Sequence, residues 1–483
     1  MGKKNGKKAA KREKKARKHA RLDVRLHGVP EIRRFFRADE TPISFVCATP
    51  FHLLGVDHWV RRLEYVCRQD PFDGHHPRAF SLPAETWPEF ASVEEACNQL
   101  LARADVTARI RSRGPGKVLL PACDENTERL ASEAGLSIAA PPAELRRRLD
   151  STVLTAQLGA EAGVPSVPHV VGRASSFGVL HALSASAGLG HDLAVQPPRG
   201  DSGQTTAFIA SEADWNAHAE VLAGQELKVM KRIDCRRLGM QAVITRHGTL
   251  VGPLVSELTS FTERIPGEGR CLREAAASTL PDDRRREARS YARAIGEGLR
   301  QEGYRGYVEL AFLIDADTDA LFLDGLDPRM SDTGSLANVA AVASADTPLV
   351  LFHLLEHMDV DYELDVDALD AEWSAPWATP TWTVLFLDRP SERSETTAER
   401  RAGIWRLDAD ALGGVRFDRR ETDWQDVAGE DEAFFVSCGQ GAGILVARGS
   451  LQTEDGGLTE RALVWATGLA AARESDRQAP VIR

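Results

Sequence analysis

Between two short hydrophobic runs lies Gln196-Pro-Pro-Arg-Gly200-Asp201-Ser202-Gly203-Gln204-Thr205-Thr206. Its two glycines, with hydroxyl-bearing neighbours, free the backbone to turn tightly, so that several N–H groups can converge on phosphate oxygens. The spacing is neither that of a Walker A loop nor that of a G-x-G-x-x-G fingerprint, and alone the stretch reads equally well as a hairpin loop. Further along, Glu226-Leu-Lys228-Val-Met230-Lys231-Arg-Ile233 sets two lysines on one strand-like segment. Eight of the eleven lysines lie in the first 21 residues, leaving Lys117, Lys228 and Lys231 for the rest of an arginine-using chain. Two acidic strands follow, Tyr307-Val-Glu309-Leu and Leu323-Asp-Gly-Leu-Asp327-Pro-Arg329.

A glycine loop, a lysine strand and two acidic strands, the last ending in Asp-Pro-Arg, resemble the ATP-grasp superfamily, and within it the biotin-carboxylase-like proteins. The resemblance runs from about residue 40 to 372 and is carried by Leu149-Asp-Ser151, Gly163-Val-Pro-Ser-Val-Pro168, Gly200-Asp-Ser-Gly203, Lys228-Val-Met-Lys231 and Gly303-Tyr-Arg-Gly-Tyr307. It implies ATP and Mg2+ as cofactors. Gly200, Asp201, Ser202, Gly203, Gln204 and Thr205 would cover the phosphates, and Lys228, Met230, Lys231 and Ile233 would form the nucleotide hinge. Glu309 and Asp327 would hold magnesium, with Arg329 and Lys231 at the transferring phosphoryl group. The implied reaction is ADP-forming ligation: a carboxylate or bicarbonate is activated as an acyl phosphate for attack by an amine, amide nitrogen or thiol. Two departures stand out. Gln196 occupies the place, four residues before the first loop glycine, where a lysine is usual, and Gly325-Leu-Asp327-Pro-Arg329 replaces E-x-N-P-R. Both leave open an alternative, a catalytically weakened nucleotide-binding or scaffold protein. Because side chains alternate along a strand, Asp324 is expected to point away from Asp327 and not to replace the missing carboxylate unless the strand bulges.

The elements that would position these residues alternate between helix and strand, an α/β (α+β) pattern. The expected organisation is a basic tail (1–25), a pre-ATP-grasp α/β domain (40–148), a two-subdomain ATP-grasp domain (149–372) and a β-rich C-terminal domain (378–483). Strands are expected at Ile43–Ala48, Val118–Ala122, Leu193–Gln196, Ala207–Ala210, Leu227–Ile233, Met240–Thr245, Tyr307–Ile314, Ala320–Leu326, Trp382–Leu387, Phe434–Ser437 and Ile444–Arg448. Helices are expected at Val93–Ala104, Leu145–Ala162 and Glu212–Ala223, the second closed by Gly163-Val-Pro165. Asp315-Ala-Asp-Thr-Asp319 has hairpin-turn composition, so the two acidic strands should be antiparallel.

At 483 residues, 43% hydrophobic and 27% charged, the composition is that of a globular protein of several domains. With no apolar run long enough to cross a bilayer and no secretory h-region, it is expected to be cytoplasmic. The seven cysteines are scattered singly and read as core fillers. His353-Leu-Leu-Glu356-His357 matches the H-x-x-E-H zinc pattern, but a packed helix explains the same five residues and no third ligand can be identified downstream. Expected partners are small-molecule carboxylate and nucleophile substrates and a second copy of the chain. Residues 1–21 carry eleven Lys/Arg against Glu13, a net of +10, so the overall −11 leaves −21 for the remainder. Such an arm either stays solvated or meets nucleic acid or another anionic surface. A run so charged cannot bury apolar surface to offset its ordering entropy. Deleting residues 1–21 should therefore leave the melting temperature and ATP affinity unchanged, as calorimetry would report; a large drop in either would mean that the tail docks on the acidic remainder.

Overall fold

The computed structural model describes residues 25–82, 88, 90–199, 206–262, 270–277, 280–331, 338–339, 341, 347–374, 382–387, 401–439, 442–453 and 457–475. The loop Gly200–Thr205 and nearly all of the basic tail lie outside them. After a short strand β1 (Arg25–His27), the chain forms a small sheet from β2 (Ile43–Cys47), β3 (Leu63–Cys67), β4 (Ala79–Ser81) and β5 (Lys117–Leu119), ordered β4-β3-β2-β5 and wholly parallel. Both faces of β2 and β3 are buried, Ser44 and Glu64 included, and the Glu64 carboxylate is paired with Arg109.

A second four-stranded sheet follows, antiparallel in the order β6-β9-β7-β8, from β6 (His169–Arg173), β7 (Leu193–Gln196), β8 (Ala207–Ile209) and β9 (Glu226–Lys231). Helices Phe177–Ser186 and Glu212–Leu222 cover one face of it through Leu180, Trp215 and Leu222. Its other face looks toward the largest sheet. That sheet begins with β10 (Cys235–Thr245), β11 (Gly248–Thr262), β12 (Arg270–Ala277), β13 (Gly306–Asp315) and β14 (Leu321–Asp327). β15 (Asp361–Glu363) leaves it to pair with β1. The sheet continues through β16 (Trp382–Leu387), β17 (Gly403–Leu407), β18 (Val415–Arg419), β19 (Glu432–Gly439) and β20 (Ala442–Arg448). Its ten strands run β14-β13-β10-β11-β12-β16-β20-β19-β17-β18, so the C-terminal strands extend the central sheet through the β12–β16 ladder.

One expected helix is broken in two, and another ends three residues early, at Leu101, with a separate helix following it. Asp150 interrupts the run from Leu145 to Ala162, and Ser151 caps the second piece, Thr152–Glu161, by accepting from the Leu154 N–H. The run from Val93 ends at Leu101, and the helix that follows it is Ala104–Ser112. β13 and β14 are antiparallel around Asp315, whose carboxylate accepts from the N–H groups of Asp317 and Thr318 to close the turn.

Helix Asp282–Gln301 packs on β10 and β11 through Ala288, Ala292, Ile295, Gly296 and Leu299, which share one face at helical spacing. Gly296 lets the helix approach β11: a Cβ there would stand 2.2 Å from Thr249 Oγ1 and 2.6 Å from its Cγ2. Overpacking of this kind costs roughly 1–3 kcal/mol. Gly296→Ala should accordingly lower the urea midpoint without changing the slope of the transition, and an unchanged midpoint would show that helix and sheet are not in register here.

Candidate nucleotide and ligation site

The two antiparallel sheets face each other across an apolar slot. Val167, Ala194 and Met230 are buried on the small-sheet side, and Leu313 and Phe322 pack against them from the hairpin of the large sheet. Ile233, just past β9, completes the group. The slot encloses about 150 Å3, and Gln196, Thr206, Phe208, Lys231, Cys235, Arg237 and Asp324 also line it. Of the proposed hinge residues, Met230 is buried opposite Ala194, whereas Lys231 is exposed at the end of β9. The Lys231 N–H is held by the Pro168 carbonyl at 3.1 Å.

At its Gln196–Pro198 end the slot becomes polar. Thr152, at the start of its helix, donates through Oγ1 to the Pro197 carbonyl at 2.9 Å and through N–H to the Pro198 carbonyl at 3.1 Å, which fixes the stem of the loop. Lys228 is completely buried and donates from Nζ to the backbone carbonyl of Asp324 at 3.2 Å. Burial pushes its pKa down, against the opposing pull of the Asp324 charge. The Asp324 carboxylate accepts from Gln196 Nε2 at 3.0 Å.

Asp324 was expected to face the other way. β14 pairs Gly325 with Ala311 but Leu323 with Phe312, so Asp324 is the extra residue of a β-bulge. Strict alternation fails there, and the carboxylate joins the slot face, the face of β13 that carries Glu309, Ala311 and Leu313.

Glu309 lies between Gln241 of β10 and Asp327 of β14 in the register of the sheet, and it is buried. Arg329 folds back on Asp327, donating from Nε at 2.9 Å and approaching the same carboxylate from its second nitrogen at 2.7 Å. Glu94, in the first turn of helix Val93–Leu101, approaches Arg329 at 3.9 Å from the other side. Gln241 donates to the Arg329 carbonyl at 3.2 Å. The structure thus brings Glu309, Asp327 and Arg329 together and adds Gln241 and Glu94, which sequence reasoning missed. Two carboxylates suit Mg2+, which takes oxygen ligands and needs only one or two from protein when a polyphosphate supplies others.

No protein-family model matches the sequence, and no curated protein does. Solved structures do. An N5-carboxyaminoimidazole synthase from Aspergillus clavatus, in complex with ADP and 5-aminoimidazole ribonucleotide, aligns over 90% of this chain and 99% of its own at 13% identity and a TM-score of 0.51. A phosphoribosylamine–glycine ligase from Thermotoga maritima aligns over 89% and 96%, also at 13% identity and a TM-score of 0.51. Both are ATP-grasp enzymes. The chain has the ATP-grasp fold.

Other clusters fall outside the ATP-grasp cleft. A groove of about 880 Å3 between helix Asp282–Gln301 and the 364–370 segment carries arginines, but Arg289 pairs with Asp370 and Arg293 with Asp367, so the groove is a structural seam. The H-x-x-E-H run is a packed helix, Leu349–Glu356, rather than a metal site. His353 accepts the Tyr307 N–H at Nδ1 and meets the Ala139 carbonyl at 2.8 Å through Nε2, while Glu356 takes Arg246 and Tyr362. Among the described residues no group of three His, Cys, Asp or Glu side chains could hold a metal, and no helix is long and apolar enough to cross a membrane. The described cysteines are free thiols, four of them buried.

Gly306, at φ +122°, allows the two histidines their place, since a Cβ there would lie 2.8 Å from His353 Nδ1 and 3.3 Å from His357 Nε2. Burial pushes His353 well below the ordinary histidine value and His357 down to about 4. The unfolded chain protonates these rings near 6.5, so between roughly pH 6.5 and 4 it binds more protons than the folded chain and stability rises with pH. Denaturation series should show stability lost as pH falls through that window, and His357→Gln should flatten the loss. An unchanged slope in the variant would remove His357 from the account.

Proposed function

We propose that this chain is an ADP-forming ligase that activates a carboxylate or bicarbonate with ATP. The observation that carries the reading is that the apolar slot and the Glu309–Asp327–Arg329 group open on one face of one hairpin. Leu313 in the slot and Glu309 in the acidic group are four residues apart on β13, about 13 Å at roughly 3.3 Å per residue. That is the reach of a nucleoside triphosphate with its base in the slot. ADP in the structurally similar synthase supports the same occupant.

In this reading Val167, Ala194, Met230 and Leu313 enclose the base and exclude water, and the segment 200–205 covers the phosphates. Glu309 and Asp327 are the residues that would hold Mg2+, which supplies charge neutralisation at the polyphosphate oxygens. Arg329, tethered by Asp327 and Glu94, is positioned to meet the transferring phosphoryl group or the acyl substrate. A carboxylate oxygen of the substrate attacks the γ-phosphorus; the new P–O bond forms as the bond to the β-phosphate oxygen breaks, releasing ADP. The nucleophile then attacks the acyl carbon, loses its proton and displaces phosphate.

The amide at position 196 and the ion pair joining Asp327 to Arg329 favour a second reading, a nucleotide-binding protein with weakened turnover. Magnesium-dependent ADP release in the presence of pooled acids and amines separates the two. A ligase should reach the ordinary enzyme range, on the order of 1 to 1,000 per second, and Glu309→Gln should abolish release while sparing the fold. ATP binding without ADP release in any pool would leave only the second reading.

A further inference from the structure

Position 196 sits at the end of the strand that feeds the 200–205 loop, and its side chain is an uncharged amide. The residue directly across the β7–β9 ladder from Gln196 is Lys228. Paired residues of neighbouring antiparallel strands project to the same face with Cβ atoms about 4.5–5.5 Å apart. A lysine at 228 therefore reaches the volume that a lysine at 196 would fill. Lys228 has no exposed surface, and one hydrogen bond to a carbonyl does not offset the burial of an ammonium group unless an anion stands beside it. Asp324 is that anion. It is 4% exposed, its backbone carbonyl accepts from Lys228 while its carboxylate accepts from Gln196, and that carboxylate reaches the slot where β14 carries one extra residue. Amide, lysine and bulge make sense together: each is unusual alone, and each is needed by the other two.

We propose that the phosphate-binding cation of this site has been transposed from position 196 to Lys228, whose ammonium rests on the Asp324 carbonyl, with the Asp324 carboxylate as the buried negative charge of the site, until a nucleoside di- or triphosphate takes it. The inference rests on the slot being a nucleotide site and deepens that reading. No covalent bond changes: a phosphate oxygen replaces the Asp324 backbone carbonyl as the partner of Lys228 Nζ, and the Asp324 carboxylate stays hydrogen-bonded to Gln196.

Calorimetry with ADP and with adenosine, in EDTA so that no divalent cation enters, tests the exchange. Lys228→Gln should weaken ADP binding about ten- to a hundredfold, the worth of a charge-assisted hydrogen bond, and leave adenosine unchanged. Gln196→Lys combined with Lys228→Gln should bring ADP back to within a few fold of wild type. Asp324→Asn should tighten metal-free ADP, because it removes a negative charge beside the phosphates while keeping a polar partner for Gln196. Equal weakening of ADP and adenosine in Lys228→Gln, or a double variant no better than the single one, would overturn the transposition. Should Lys228→Gln fail to fold, Asp324→Asn still decides, since unchanged or weaker metal-free ADP binding rejects the proposal. Wild type that binds neither ligand would overturn the nucleotide slot itself, whereas wild type that binds both while every variant is indifferent overturns only the transposition.

Discussion

One extra residue in β14 decides which way the carboxylates of this cleft point. Without the bulge, alternation counted back from Asp327 would send Asp324 into the apolar layer under helix Asp282–Gln301, on the face of Leu326. With it, two consecutive positions face the small sheet, and Asp324 meets Lys228 and Gln196. A completely buried lysine on β9 is tolerable only with that neighbour. The large sheet thus supplies the charge that lets the small sheet bury its own, and the two sheets are matched across the slot by electrostatics as well as by the packing of Leu313 and Phe322 on Met230.

The chain on both sides of the bulge is held by residues from the N-terminal half of the sequence. The Leu323 N–H donates to the Pro165 carbonyl, the Met330 N–H to the Pro121 carbonyl, and Arg146 Nε to the Pro328 carbonyl. These three bonds span more than 150 positions of sequence each, and together with Glu94 they fix the Asp327–Met330 segment that presents Arg329. The parallel sheet of β2 to β5 therefore does more than precede the ATP-grasp fold. Its following loop and helices form one wall around the arginine.

Much of this was legible in the sequence where chemistry and local pattern agree. The scarcity of lysine outside the tail singled out Lys228, and the hydrophobic runs at 193–196, 227–233, 307–314 and 320–326 mark, to within two residues at each end, the strands that line the slot. Other features were hidden for physical reasons. β11 is 15 residues long, but Gly252 and Pro253 oppose the single residue Gln241 in a bulge that breaks its period. Helix Asp282–Gln301 buries mainly alanine and glycine on its inner face, so its amphipathic signal is carried by small residues. The pairing of Glu94 with Arg329 is a contact across the fold with no local signature. For Asp324 there was a signal: Asp followed by Gly inside a strand is what a bulge often looks like.

The central claim is that an adenine nucleotide lies between the two antiparallel sheets, and hydrogen–deuterium exchange of the intact chain, with and without Mg-ADP, tests it most directly. The account predicts slowed exchange confined to the Met230–Cys235 hinge, the ends of β7 and β8 and the β13–β14 hairpin around Leu313 and Asp324, with β17 to β20 unaffected. Protection centred on the groove beside helix Asp282–Gln301, or no protection at saturating nucleotide, would contradict it.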